Sequence, residues 1–296
     1  MTIRLENFAG SWLVSEYVYN PDGTFVGILQ QRRRMEPQAD GSTRVFLSCE
    51  PRLKIENHPI SAFEGEWVYE IGRDGRYRRY LGPDMLGTGL KWGPDALTGR
   101  GIWPRFGHNF TNFSLTIAPN RQIFGGRYFN AGECIANVMG VAVPELMGIE
   151  NPYPAFTNPT RPADIAQTWS GTVLIFDPGY RVQAEYNMIR QFTPQGWMDQ
   201  VEGGTQTQFI MDEAYDRLLI SGSGVGVAKR YGWCIETSTI DTPSENGQHT
   251  LGGEVWQRDS IDVLDAASKT LIGFTQSYVD GLFAQINIFK LKPNTI

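Results

Sequence analysis

Arg33 and Arg190 are the residues from which chemistry can be argued first, because they hold matching places in a repeated pattern. The run Phe25, Gly27, Leu29, Gln31, Arg33, Met35 has a counterpart in Val182, Ala184, Tyr186, Met188, Arg190, Phe192. Each run is one side of a two-residue alternation, and the opposite side of the second is plainly wetter. Each arginine is therefore expected to point into a dry interior. A guanidinium placed there has two uses. It can hold a ligand carboxylate or enolate by charge-assisted hydrogen bonds. It can also have a purely structural use, stacking on a tryptophan, a contact worth roughly 0.5–2 kcal/mol. Repetition favours the architectural use, since a reaction needs one site and a fold needs both.

Two carboxamides raise a similar question. Asn137, in Ile135-Ala136-Asn137-Val138, and Gln285, in Phe283-Ala284-Gln285-Ile286, interrupt two further apolar rows. A buried amide without a partner costs roughly 1–3 kcal/mol, so protein, water or ligand must meet it. The matching chemistry is polarisation of a ligand carbonyl. Tyr186, Trp92, Trp103 and Trp233 are candidate walls for an apolar ligand, with ordinary core packing as the alternative. Glu133 is a candidate base whose pKa an apolar cavity would raise; a solvated turn carboxylate is the alternative. His108, in Arg105-Phe106-Gly107-His108-Asn109-Phe110, is a candidate general base at a barrel mouth. Its alternative is a loop histidine bonded to backbone.

Several classes of chemistry lack their residues. His58, His108 and His249 are scattered, as are Cys49, Cys134 and Cys234, so no metal site is expected. Gly222-x-Gly224-x-Gly226 has the wrong spacing for a dinucleotide fingerprint, and there is no P-loop or Gly-x-Ser-x-Gly elbow. No cofactor is expected. The net charge of −6 falls wholly in residues 151–296, where 10 Lys/Arg meet 16 Asp/Glu. That leaves no basic surplus for nucleic acid. Arg32-Arg33-Arg34 and Arg76, Arg78 and Arg79 read as strand-face charges. No apolar run is long enough to span a bilayer, and Met1–Glu6 carries no leader-like apolar stretch. A cytoplasmic protein whose partner is a small hydrophobic molecule is the expectation, with the oligomeric state left open.

The elements that must position these residues are strands. Alternation recurs in Gly75-Arg76-Tyr77-Arg78-Arg79-Tyr80-Leu81 and in Lys229-Arg230-Tyr231-Gly232-Trp233-Cys234-Ile235. Turn signals such as Asn20-Pro21-Asp22-Gly23 and Ala39-Asp40-Gly41-Ser42 separate them. Sliding the chain by 157 residues lays Trp12 on Trp169, Pro21 on Pro178, Arg33 on Arg190 and Pro37 on Pro194. This is an internal duplication, with a short deletion late in the second copy. The reading is all-β: one barrel over residues 1–147, a proline-rich linker over 148–166 and a second barrel over 167–296. A short helical turn is expected at Arg161–Ala166, leading into Trp169.

Phe8-Ala9-Gly10-Ser11-Trp12 carries the Gly-x-Trp that opens the first strand of lipocalins, and on this motif the chain resembles the calycin superfamily. Gln167-Thr168-Trp169 keeps the tryptophan and loses the glycine. The resemblance implies two tandem lipocalin-like antiparallel β-barrels, with Trp12 and Trp169 at their closed ends. In size and pattern the chain is similar to a two-barrel group common in cyanobacteria. The function expected from polar residues on otherwise apolar inward faces is an enzyme that cyclises or isomerises a small hydrophobic metabolite without a redox cofactor. The alternative is a non-catalytic carrier of a pigment, haem or lipid.

Overall fold

The structure is a computed structural model. It describes residues 9–92, 95–147, 161–179, 181–204, 206–212, 217–221, 224–232, 234–241, 244–245, 248–249 and 254–294. Trp233 and residues 148–160 of the expected linker lie outside the described residues. The chain divides into two compact units, Met1–Thr157 and Asn158–Ile296.

The first unit holds β1 (Gly10–Tyr19), β2 (Phe25–Pro37), β3 (Thr43–Leu53), β4 (Gly65–Asp74) and β5 (Tyr77–Leu81). It continues with β6 (Leu86–Trp92), β7 (Ala96–Trp103), β8 (His108–Ala118), β9 (Arg121–Asn130) and β10 (Glu133–Pro144). Sequence neighbours pair antiparallel, and β1 closes on β10 to complete a ten-stranded barrel. The second unit repeats the plan with β11 (Thr168–Phe176), β12 (Val182–Thr193), β13 (Gly196–Val201), β14 (Gln206–Asp212) and β15 (Arg217–Ile220). Then come β16 (Val225–Tyr231), β17 (Cys234–Asp241), the ribbon β18 (Ser244–Glu245) and β19 (Gln248–His249), β20 (Trp256–Asp265), β21 (Thr270–Val279) and β22 (Leu282–Pro293). The ribbon stands apart, and the other ten strands close through β11 and β22. Ten strands per barrel exceed the eight of a lipocalin.

The duplication is visible in the pairing. Trp12 stands opposite Arg33 on β2 and Pro144 on β10; Trp169 stands opposite Arg190 on β12 and Pro293 on β22. The offset is 157 at the tryptophans and 293 − 144 = 149 at the prolines. The same 149 carries the turn Ala131-Gly132 onto Asp280-Gly281, and all four residues have positive φ (49°, 87°, 49° and 79°). Positive φ at both central residues is the two-residue hairpin turn that matches strand twist. The sequence match of Asn137 with Gln285 uses an offset of 148, one residue short. A one-residue slip turns every side chain to the other face.

Each barrel is sealed locally. In the first, the 3₁₀ turn Pro59–Phe63 buries Ile60 and Phe63, and Phe63 meets Trp103 and Tyr128 edge-on at 5.4 and 5.2 Å. His58 caps this turn, its Nδ1 accepting from the Ile60 N–H at 3.2 Å. In the second, the expected helical turn is α1 (Pro162–Ile165). Trp169 is fully buried beside it and donates from Nε1 to the Ala166 and Pro162 carbonyls at 2.9 and 3.3 Å.

Candidate functional site

The inner face of β1 follows from parity with Trp12: Val14, Glu16 and Val18 point the same way. Their neighbours on β2 are Leu29, Gln31 and Arg33, as the alternation on that strand predicts. Of these, Glu16, Gln31 and Arg33 line a cavity of about 150 Å³ in the first barrel. Tyr69, Tyr80, Trp103, Phe110 and Phe124 form its aromatic walls, and Gln31, Asn112, Ser114 and Gln122 add polar groups. Ser114 accepts a hydrogen bond from the Gln122 amide, which fixes that side of the wall.

The electrostatic centre is Glu16. Its carboxyl is buried, and burial pushes its pKa up to about 7. The Arg33 charge and a hydrogen bond with Gln31 act in the opposite direction and only partly offset the loss of water. Gln31 mediates between the two, because its Oε1 also accepts from Arg33 Nη2 at 3.3 Å. Four buried atoms of residues that line this cavity have no hydrogen-bond partner among the described residues: Glu16 Oε2, Arg33 Nε, Trp103 Nε1 and Asn112 Oδ1. Unmet buried polar atoms are few in folded proteins. Four around one polar cavity mark a place that a guest or ordered water completes. Arg33 also lies over the Phe124 ring at 5.4 Å.

Arg190 repeats the position of Arg33 with a different environment. Its Nε and Nη2 bond both oxygens of Asp199 at 2.6 and 2.7 Å, and Nη1 bonds Asp262. The guanidinium lies over Phe289 at 4.6 Å and over Trp197 at 5.3 Å. The adjoining cavity is only about 20 Å³. Burial raises the Asp262 pKa, and the Arg190 charge pulls it back. This is a closed ion triad that ties three strands together.

The remaining sequence candidates are dispersed. Asn137 belongs to the outer face of β10, since Val138 and Gly140 are the inward residues there; its Nδ2 donates to the Asn20 carbonyl at 3.3 Å. Gln285 does lie on the inner face of β22, with Nε2 donating to Asn287 at 3.3 Å, but in the other barrel. The register slip is the reason that the supposed pair separates. Trp92 is on the outer face of β6 and donates to Thr98 Oγ1 at 2.8 Å, so it is not a cavity wall. Glu133 is an exposed residue at the β9–β10 turn, where solvent rather than a cavity surrounds it. Tyr186 is on the inner face of β12 and is 40 % exposed. His108 is buried under the 3₁₀ turn, face to face with Phe63 and Phe106 at 6.2 and 6.3 Å, rather than at an open mouth. Burial lowers its pKa, and Nδ1 has no partner among the described residues. Of the sequence candidates, Arg33 and Trp103 meet in the cavity.

The sequence reading does not single out Glu16, Gln31, Asn112, Tyr69 or Tyr80 as site residues. Glu16 is the lone charge two and four steps from Val14 and Trp12, but its neighbours on both faces of β1 are buried, so alternation alone does not place it inward. Its counterpart in the duplication is Val173, so the fold does not require a carboxylate there. Among the described residues no three His, Cys, Asp or Glu gather as a metal site, and no helix is long and apolar enough to cross a membrane.

The sequence matches no family model and no curated protein. A crystal structure of a protein of unknown function from the DUF3598 family of Nostoc punctiforme is similar over 99 % of this chain and 98 % of its own, at 14 % identity and a TM-score of 0.57. That likeness shows a shared two-barrel fold. The S-type phycobiliprotein lyase of Guillardia theta is similar over 46 % of this chain and 88 % of its own, at 10 % identity and a TM-score of 0.36.

Proposed function

We propose that the first barrel is the working half of a cofactor-independent enzyme that moves a proton on a small molecule, as an isomerase or cyclase does. The observation that carries this reading is the meeting of Glu16 and Arg33, each with an unmet buried atom, at one aromatic-walled cavity. A carboxyl whose pKa lies near 7 is matched to proton transfer at neutral pH, a contribution of typically 10²–10⁴-fold. Arg33 Nε supplies a fixed donor for the oxygen on which negative charge develops. Gln31 holds the two groups in register. A guest that fills the space displaces water from between the aromatic walls, which strengthens both effects.

Size limits the guest. An apolar cavity of about 150 Å³ takes benzene, so the space of about 150 Å³ here suits one ring with a polar substituent. A haem or an extended pigment does not fit among these side chains. The duplicated barrels are read as calycin relatives. The setting is read as reducing and cytoplasmic; among the described residues Cys49, Cys134 and Cys234 form no disulfide.

The test uses cyclohexanone, a ring of the right size with exchangeable protons beside its carbonyl. In deuterated buffer, proton NMR should show faster loss of those protons with the full chain than with buffer alone. Glu16→Gln, once shown to be folded, should lose at least 10²-fold of that acceleration. Exchange at the buffer rate with the intact chain would remove the reading.

A carrier role has one observation in its favour, in the second barrel. Tyr186 faces inward and yet is 40 % exposed, which leaves apolar wall available to a larger guest. Absorbance and mass spectra of the purified chain separate the two readings: a co-purifying pigment or lipid supports the carrier.

A further inference from the structure

The two barrels answer one question differently: what neutralises the inner arginine? In the second barrel the carboxylates come from the chain itself. Asp199 is the cross-strand partner of Arg190 on β13, and Asp262 is the partner of Gly273 on β20. The same stations in the first barrel can be read from the pairing. Arg33 faces Leu47 on β3, and Ser114 faces Phe124 on β8, where Phe124 corresponds to Gly273. Both aspartates are therefore replaced by residues without charge. Glu16 does not substitute for them, because it forms no ion pair with Arg33 within 4.0 Å and keeps Oε2 unmet.

We propose that the guest of the first barrel is a small cyclic monoanion, an aromatic or alicyclic carboxylate, which takes the place of those aspartates on Arg33. This rests on the reading of the first barrel as a small-molecule chamber and names the class of molecule it takes. The ring has aromatic walls in Phe110, Phe124 and Tyr80. The carboxylate has the unmet Arg33 Nε and Trp103 Nε1 as donors. A second negative charge beside Glu16 is unfavourable in so dry a place, so the anion enters with one proton from solvent, which settles on Glu16. Arg33 on β2, Cys49 on β3, Tyr69 on β4 and Tyr128 on β9 are the ionisable groups coupled to Glu16. Arg73 on β4, Arg78 and Tyr80 on β5, Lys91 on β6 and His108 on β8 are the further ionisable residues on the inner face of those strands, with Arg73 at the exposed end of β4. The thiol and the phenols of Cys49, Tyr69, Tyr80 and Tyr128 are shifted upward by burial, and His108 is held neutral, so Glu16 is the group that takes up the proton. On an anionic substrate Glu16 consequently begins as an acid.

Benzoate and benzamide are the probes, titrated calorimetrically into the full chain at pH 6, 7 and 8 in two buffers of different ionisation enthalpy. Benzoate is ionised throughout that range. The expected result is a benzoate Kd that weakens about tenfold from pH 6 to pH 8, with close to one proton taken up per benzoate at pH 8. Glu16→Gln should keep benzoate binding and lose its pH dependence. Arg33→Met, or Arg33→Lys if the first does not fold, should weaken benzoate at least tenfold and leave benzamide within twofold. Equal benzoate affinity at pH 6 and pH 8, or binding of benzamide alone, overturns the anion assignment while the chamber stands. Failure of both probes together with failure of cyclohexanone exchange removes the chamber as well.

Discussion

Gly140 lies so close under Phe124 that a Cβ on the glycine would come within 2.2 Å of the ring. Across the second barrel the same two stations are exchanged: Phe289 supplies the ring from β22, and a Cβ on Gly273 of β21 would come within 1.9 Å of it. In both barrels the inner arginine lies over this ring, Arg33 at 5.4 Å and Arg190 at 4.6 Å. One ring and one hydrogen fill the layer, whichever strand provides each.

Gly140→Ala should therefore destabilise the first barrel by about 1–3 kcal/mol through overpacking. Adding Phe124→Ala should recover part of that loss, because the clash and the ring vanish together. Urea unfolding of the two single variants and the double variant gives the coupling, and additivity of the two losses would contradict the contact.

Glu16 should set a pH dependence of stability opposite to that of a paired carboxylate. Its folded-state pKa of about 7 lies above the unfolded value of 4.5, so the folded chain holds the proton more tightly between those values. The stabilisation is complete below pH 4.5 and is lost progressively as pH rises to 7, by about 3 kcal/mol in all. Glu16→Gln should unfold at a higher urea concentration than the parent at pH 8, with the difference disappearing at pH 4.5. A constant difference across that range would show that the carboxyl is not dry.

Acid should loosen the 3₁₀ seal. His58 Nδ1 accepts from the Ile60 N–H, and protonation removes that acceptor. Burial lowers the His58 pKa from its usual 6.5, so this stabilisation is present above pH 6.5 and is lost as pH falls through the lowered folded value. Hydrogen exchange at the Ile60 amide, corrected for the intrinsic pH effect, should accelerate in acid. Protection that persists in acid would place the seal's stability elsewhere, in Phe63 and its aromatic neighbours.

Arg190→Met should cost about 3–5 kcal/mol in the second barrel, since Asp199 and Asp262 would remain buried without their cation. Proton transfer in the first barrel should be unchanged. Trp197 beside the triad reports the unfolding by fluorescence, and loss of cyclohexanone exchange in a folded Arg190→Met protein would contradict the assignment of chemistry to the first barrel.

Much of this architecture is legible in the sequence, and what is hidden has a physical cause. On β2 and β12 the single offset of 157 holds for both Trp and Arg, so their spacing is kept and Gln31 and Arg33 fall inward with Met188 and Arg190. On β10 and β22 the offset falls by eight residues to 149, and the sequence match of Asn137 with Gln285, at 148, misses the register by one, which puts Asn137 on the outer face. Glu16 escaped notice for another reason. From Val14 to Tyr19 both faces of β1 are buried, so hydrophobic alternation does not reveal which side a lone carboxylate occupies. Orphaned atoms such as Asn112 Oδ1 depend on side-chain packing across strands, which no spacing along one strand encodes.

The closed triad of the second barrel gives the molecule an internal reference. Heat, denaturant or salt acts on both copies of the Trp–Arg layer, whereas a guest that needs a vacant guanidinium acts on one. A signal that moves at Trp103 and stays still at Trp197 therefore reports occupancy, free of the drift that any single-barrel relative would suffer.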